Sequence, residues 1–351
     1  LEDIGGPASL TASVTGPIIK PEILGSANLK DVFVKLKNFP HAFEKVSAEA
    51  LFSHSKVLIQ NINGQLAGGP FTGNGEIQIQ GIKDFPTNLR LRAENMSLHV
   101  PDKIRSTGSA EMTISGRWFP FTISGTYNVS SALVEKELND EAVALGSTRQ
   151  STYLPKILKQ NSFEPILLDL QVNLERNAVV KNSLMDGTVK GQLQIRGAPQ
   201  SPVITGKINI DKNTKLMFKD KTFELLTGNV QFNNPNETAP DLYISAQSRV
   251  NEYDINLLVQ GPSKAPVIRL TSQPPLPEQE IISLLALGVT SSRLEQNVQA
   301  KDQATQTGYE IGAAVISNNP FTKNLQSRLG VNIQISNTFD STKNISIPKA
   351  V

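Results

Sequence analysis

The chain has 351 residues, with 34 Lys and Arg against 32 Asp and Glu, for a formal net charge of +2. This even balance lacks the clustered Lys and Arg that nucleic-acid binding needs. Cysteine is absent, which excludes thiol nucleophiles, Cys-ligated zinc, iron–sulfur clusters and disulfides.

Residues 1–145 read as repeated β units. Ile77 and Ile79 alternate with Glu76, Gln78 and Gln80, and Leu89, Leu91 and Ala93 alternate with Arg90, Arg92 and Glu94. Side chains two apart share one face of a strand, so each run has an apolar and a polar face. Two-faced strands suit antiparallel sheets covered on one side. Asn63-Gly64, Asn74-Gly75 and, further on, Asp186-Gly187 are predicted hairpin turns, because these pairs favour positive φ. A repeat punctuates the strands. Gly16 is followed by Pro21 and Gly25, and Gly197 by Pro202 and Gly206 at the same offsets. Gly116 and Gly125 keep the nine-residue spacing, while Gly81/Pro86 and Gly261/Pro266 keep the five-residue one. Each copy reads as strand, Gly/Pro break, strand, and such repetition predicts an elongated sheet that grows by adding units.

Glu135, Glu137, Glu141, Ala142, Ala144, Leu154, Ile157 and Leu158 make residues 131–160 a predicted helix or irregular insertion. Residues 146–275 then return to strands. Residues 276–330 read as helical: Pro277 suits a helix start, Glu278 and Glu280 suit its positive end, and Gly288 suits its stop after Leu287. The polar stretch 291–307 is expected to be flexible, and Phe321, Leu325 and Leu329 predict a second short helix ended by Gly330. Terminal strands are predicted within 331–351, from Val331/Ile333/Ile335 and Ile345/Ile347.

Chemistry-bearing constellations are missing from this pattern. His41, His54 and His99 show no metal-ligand spacing, and no nucleophile elbow, phosphate loop or dinucleotide fingerprint is present. The expectation is a protein without catalytic residues, metal or cofactor. What remains is apolar surface, with two arrangements open: a sandwich in which two apolar faces bury each other, or a curled sheet whose apolar faces line a trough. Exposing a 16-carbon acyl chain to water costs on the order of 12 kcal/mol, so a lipid carrier needs the second arrangement. No apolar run approaches the roughly 20 residues of a membrane-spanning helix. Because the chain starts at Leu1, it is expected to be an internal or processed segment, with any membrane anchor outside it.

One stretch is more specific. Gly197-Ala-Pro-Gln-Ser-Pro-Val-Ile-Thr-Gly206 leads to Phe223-Glu-Leu-Leu-Thr-Gly228-Asn-Val-Gln-Phe232, then Pro240-Asp241-Leu242 and Ile255-Asn-Leu-Leu-Val-Gln-Gly261. It closes with Pro266-Val-Ile-Arg-Leu-Thr-Ser272 and the run into Gly288. This succession resembles the C-terminal domain of the TamB family, envelope-spanning proteins of diderm bacteria related to AsmA-like proteins. The resemblance implies a mainly β fold: an elongated, twisted, curled, antiparallel-rich sheet forming an open hydrophobic groove, with short helices near 277–329. It implies a non-enzymatic periplasmic bridge, anchored in the inner membrane outside this fragment, that shelters phospholipid acyl chains or nascent outer-membrane protein segments. An Omp85-class (TamA-like) partner is implied at the C-terminal region, whose last strands are largely missing here. On that resemblance the groove residues are Leu193, Ile195, Ile208, Ile210, Leu216, Phe218, Phe223, Leu225, Val230, Phe232, Leu242, Ile244, Ile255, Leu257 and Val259. The alternatives are an assembly chaperone for outer-membrane proteins that works by β-augmentation, and a passive structural stalk.

Overall fold

The computed structural model describes residues 2–17, 22–36, 39–81, 83–100, 103–135, 165–199, 201–218, 221–234, 239–290, 335–340 and 345–350. The chain is mainly β, with nineteen strands and one helix among the described residues. It forms two compact units: Leu1–Asn209 with Gln231–Thr238, and Ile210–Val230 with Ala239–Val351.

The first unit opens with β1 (Asp3–Gly5) and β2 (Ala8–Thr15), both paired to β3 (Glu22–Lys35). β4 (Ala42–His54), β5 (Lys56–Leu66), β6 (Gly69–Gln78), β7 (Thr87–Leu98), β8 (Ile104–Gly116) and β9 (Phe121–Val134) follow, each antiparallel to the strand before it. β10 (Ile166–Lys181) pairs parallel with β9 and antiparallel with β11 (Met185–Gly197), ahead of β12 (Val203–Ile210). The chain between Val134 and Ile166 is long enough for the crossover that a parallel pair requires. Residues 131–134, predicted as part of an insertion, complete β9; residues 136–160 lie outside the described residues.

The nine-residue Gly spacing has one structural cause at Gly116/Gly125 and Gly197/Gly206. Gly116 and Gly197 end strands β8 and β11, and nine residues later Gly125 and Gly206 sit inside β9 and β12 at φ 144° and 127°. A Cβ on Gly125 would strike the Glu111 carbonyl oxygen and lie 2.8 Å from Met112 Cα. A Cβ on Gly206 would strike the Gln192 carbonyl and lie 3.0 Å from Leu193 Cα. At both places neighbouring strands approach too closely for any side chain, so the repeat records a recurring backbone distortion.

The Asn-Gly and Asp-Gly pairs are not turns: Asn63-Gly64, Asn74-Gly75 and Asp186-Gly187 lie inside β5, β6 and β11. Gly64 leaves room for the Phe71 ring, whose Cε1 would stand 2.7 Å from a Cβ there. Phe71 can therefore reach across β5 to Phe43 of β4, with ring centroids 5.8 Å apart. The β5–β6 turn falls instead at Ala67 and Gly68, whose φ values of 50° and 81° suit a two-residue hairpin loop.

The second unit contains β13 (Lys215–Phe218), β14 (Lys221–Phe232), β15 (Asp241–Val250), β16 (Tyr253–Pro262) and β17 (Val267–Gln273). β13 pairs with β14, and β15 with β16 and β16 with β17, all antiparallel. The helix α1 (Glu278–Leu287) follows Pro277 and ends at Gly288, whose φ of 79° is left-handed and whose N–H donates to Leu284 O at 2.9 Å. The expected first-turn acids are in place, and Glu278 Oε1 accepts from Leu270 N–H, fastening α1 to β17. A separate hairpin pairs β18 (Ile335–Asp340) with β19 (Ile345–Ala350). The predicted flexible stretch 291–307, the helix at Phe321 to Leu329 and residues 331–334 lie outside the described residues.

Candidate functional site

Strand register fixes which side chains of the first unit share a face. One row runs Ile62, Gly73, Leu91, Met112, Gly125, Leu170, Ile195 through consecutive ladders from β5 to β11. The next runs Gly64, Phe71, Ala93, Ala110, Tyr127, Val172, Leu193. A third contains Ile59, Gly75, Leu89, Ile114, Ile123 and Leu168. Directly opposed residues in a ladder point to the same side, so the rows form one continuous apolar surface.

The opposite face carries the charges. Arg92 lies between Glu94 at 3.2 Å and Glu111 at 3.9 Å, Lys56 meets Glu76, and Arg196 meets Asp169 at 2.9 Å. The Arg196 hydrogen bond, with a second from Gln194, holds the Asp169 carboxyl below its ordinary range. These are exposed pairs of small energetic weight, and their role is solvation of the outer surface.

How the apolar face is covered differs between the units. Leu89, Leu91, Met112, Ile114, Ile123, Leu170, Leu193 and Ile195 are only half-buried, whereas Phe71, Ala93, Ala110 and Tyr127, in the row through Gly64, are buried. Toward β1 and β2 the same face opens fully, with Ile4, Leu10 and Val14 61–67% exposed. Curvature supplies the partial shelter. His41, just before β4, and His99, just after β7, belong to strands three spacings apart, about 14 Å in a flat sheet. Yet His99 N–H donates to His41 Nε2 at 2.8 Å and the rings lie 5.5 Å apart, so the sheet bends around the β5–β6 tip. Phe43 and Phe71 meet on the apolar side of that bend. Burial, then the neighbouring His99, keeps His41 below the ordinary histidine pKa. No group of three metal-ligating side chains occurs among the described residues.

In the second unit α1 lies on the apolar face. Ile281, Leu284 and Leu285 are 0–2% exposed and pack with Phe223, Ala246, Val250, Ile255 and Leu270, while Leu216, Phe218, Tyr253, Leu257 and Leu276 flank them. Ile281, Ile282, Leu284 and Leu285 put two adjacent pairs on one helical face, which is why this short run buries as a helix and not as a strand.

The residues proposed from sequence therefore fall into separate settings. Leu193 and Ile195 stand opposite Val172 and Leu170 on the half-sheltered face of the first unit, and Ile208 lies beside Gly191 there. Phe232, at the end of β14, is half-buried. Phe223 and Ile255 are in the core beneath α1, with Leu216, Phe218 and Leu257 packed against it. Ile210 and Leu225 are buried beside Gly228. Ile244 opposes Val259 and Leu242 opposes Gly261, farther along the same face; these and Val230 are half-buried. In β14 two successive exposed residues, Leu226 and Thr227, shift the alternation between Leu225 and Val230. Sequence reasoning missed the larger share of the surface, including Leu91, Met112, Ile114, Ile123 and Leu170. Their alternation carried the same signal, but they lie before the stretch that drew the resemblance.

Fold and candidate site together define a mainly β, mostly antiparallel scaffold that carries a broad apolar face. Comparison with known proteins makes the class specific. The TamB C-terminal domain family matches residues 60–347, and the chain belongs to that family. It is also similar to the translocation and assembly module subunit TamB of Haemophilus influenzae (strain ATCC 51907 / DSM 11121 / KW20 / Rd), at 21% identity over 332 residues. That match covers 90% of this chain but 25% of the relative, so the chain spans about a quarter of the length of the curated protein it matches.

Proposed function

We propose that this chain is a segment of a non-enzymatic periplasmic bridge that shelters phospholipid acyl chains on the apolar face of its first unit. The observation that carries the reading is the unbroken row from Ile62 to Ile195, apolar across seven strands and half-buried along its whole length. A surface of this kind favours cargo that is apolar along its length: each CH₂ taken from water gains about 0.8 kcal/mol, with no specific polar contact required. Membership of the TamB family and the name of the Haemophilus relative support a place in the cell envelope and an Omp85-class, TamA-like partner of the full-length protein. The test is a photo-crosslinking residue at Leu91 or Met112 of the full-length protein in cells. Lipid adducts are expected at both positions, and their loss is expected when Leu170 and Ile195 are replaced by Asp. Capture of polypeptide alone would overturn the lipid reading.

A second reading has its own observation. β2 pairs with β3 through Ala8–Leu29 to Thr15–Glu22, and every residue of β2 is exposed. A strand so placed suits β-augmentation of nascent outer-membrane protein segments. That role depends on the backbone of β2 and is insensitive to Asp at Leu170 and Ile195, which separates it from the lipid reading.

A further inference from the structure

The apolar faces of the two units differ in their cover: in the first the rows through Leu91 and Leu89 are half-buried, and in the second α1 fills the face. Resting on the lipid-sheltering reading, we propose that α1 is an intramolecular plug, which occupies the apolar face of the second unit and keeps acyl chains off it.

Three observations carry this. The helix contributes Ile281, Leu284 and Leu285, each 0–2% exposed, to a core whose sheet side is Phe223, Ala246, Val250, Ile255 and Leu270. A branched aliphatic side chain set on Leu, Ile and Phe is chemically what an acyl chain would offer the same surface, so helix and lipid compete for one site. The helix is also fastened at both ends. Glu278 Oε1 accepts from Leu270 N–H at 3.3 Å, and Leu276 N–H donates to Ser272 Oγ at 3.0 Å. At the far end Asn251 Nδ2 donates to Gly288 O at 2.9 Å. Binding acyl chain there would require breaking these links and stripping Ile281, Ile282, Leu284 and Leu285 from their core. Among the described residues, no helix lies on the half-buried rows through Leu91 and Leu89 of the first unit. The plug therefore sets which strands carry cargo: β5–β11 do, and the α1-covered parts of β14–β17 do not.

The experiment compares photo-crosslinking residues at Leu91 in the first unit and at Leu257, which flanks the core under α1, in the full-length protein exposed to phosphatidylethanolamine vesicles. Lipid adducts at Leu91 are expected to exceed those at Leu257 by at least tenfold, with Leu257 crosslinking instead to the peptide that contains α1. Replacing Leu284 with Asn, which loosens the helix, is expected to raise lipid capture at Leu257 several-fold. A Leu257→Ala control reports whether the β16 surface folds, by retained protection of β15–β16 amides from exchange. Equal lipid capture at the two positions in the unmodified protein overturns the plug and leaves the lipid reading standing. Lipid at neither position overturns the lipid reading; the plug then stands or falls on whether Leu284→Asn creates capture at Leu257.

Discussion

Truncating a leucine should cost very different amounts on the two apolar faces. Leu284 is 1% exposed and enclosed by α1 on one side and the β14–β17 face on the other. Leu284→Ala removes its transfer energy and leaves a cavity that rigid neighbours fill poorly, which together amount to about 3–4 kcal/mol. Leu91 stands between Gly73 and Met112 in its row and is half-buried. Its truncation forfeits about half of a leucine's transfer energy, roughly 1 kcal/mol, and adds no cavity cost because the space opens onto the uncovered side. Urea unfolding can separate the two. Trp118, the sole tryptophan, reports the first unit, and hydrogen exchange of β15–β16 amides reports the second. Losses that agree within about 0.5 kcal/mol would refute the reasoning, because they would mean that the face carrying Leu91 is covered as completely as the one beneath α1.

Two further outcomes follow from local geometry. Gly206→Ala should destabilise the first unit by more than about 1 kcal/mol, since φ of 127° and the Gln192 carbonyl both oppose a Cβ; thermal unfolding checks it, and a neutral outcome would deny the repeat its structural cause. His41 should titrate below an ordinary histidine by NMR, and because its folded pKa is depressed, the linked stability is whole above the unfolded value near 6.5 and is lost as pH falls through the folded one; His41→Gln should flatten that dependence, and a midpoint at or above the ordinary value would contradict the assigned cause.

Alternation made the strand-rich fold legible because period-2 patterning belongs to single strands and needs no tertiary knowledge. Leu89/Leu91 and Ile255/Leu257/Val259 declared their faces in this way, and Pro277 to Gly288 declared the helix through its ends. The hairpin turns were misplaced for a physical reason. Gly64 and Gly75 satisfy a turn rule, but at these positions they answer a close approach from the next strand, by Phe71 in one case and Asn88 and Leu89 in the other. A local rule cannot tell a glycine chosen for its φ from one chosen for its missing side chain. His41 and His99 are 58 residues apart and met only because the sheet bends, which no spacing in the chain encodes.

The candidate site divides along the same line. Which residues are apolar on a strand is a property of the strand, so Leu193, Ile195, Ile255 and Leu257 were nameable in advance. Whether that surface is free is a property of what packs on it, and here ten residues of helix decide the matter. Ile195 and Ile255 look alike in sequence, each an isoleucine flanked by polar neighbours in an alternating run. One is half-buried opposite Leu170, and the other is fully enclosed in the core that includes Ile281 and Leu284. How much of the apolar face is left uncovered is therefore fixed less by the strands that build it than by the short helix packed on part of it.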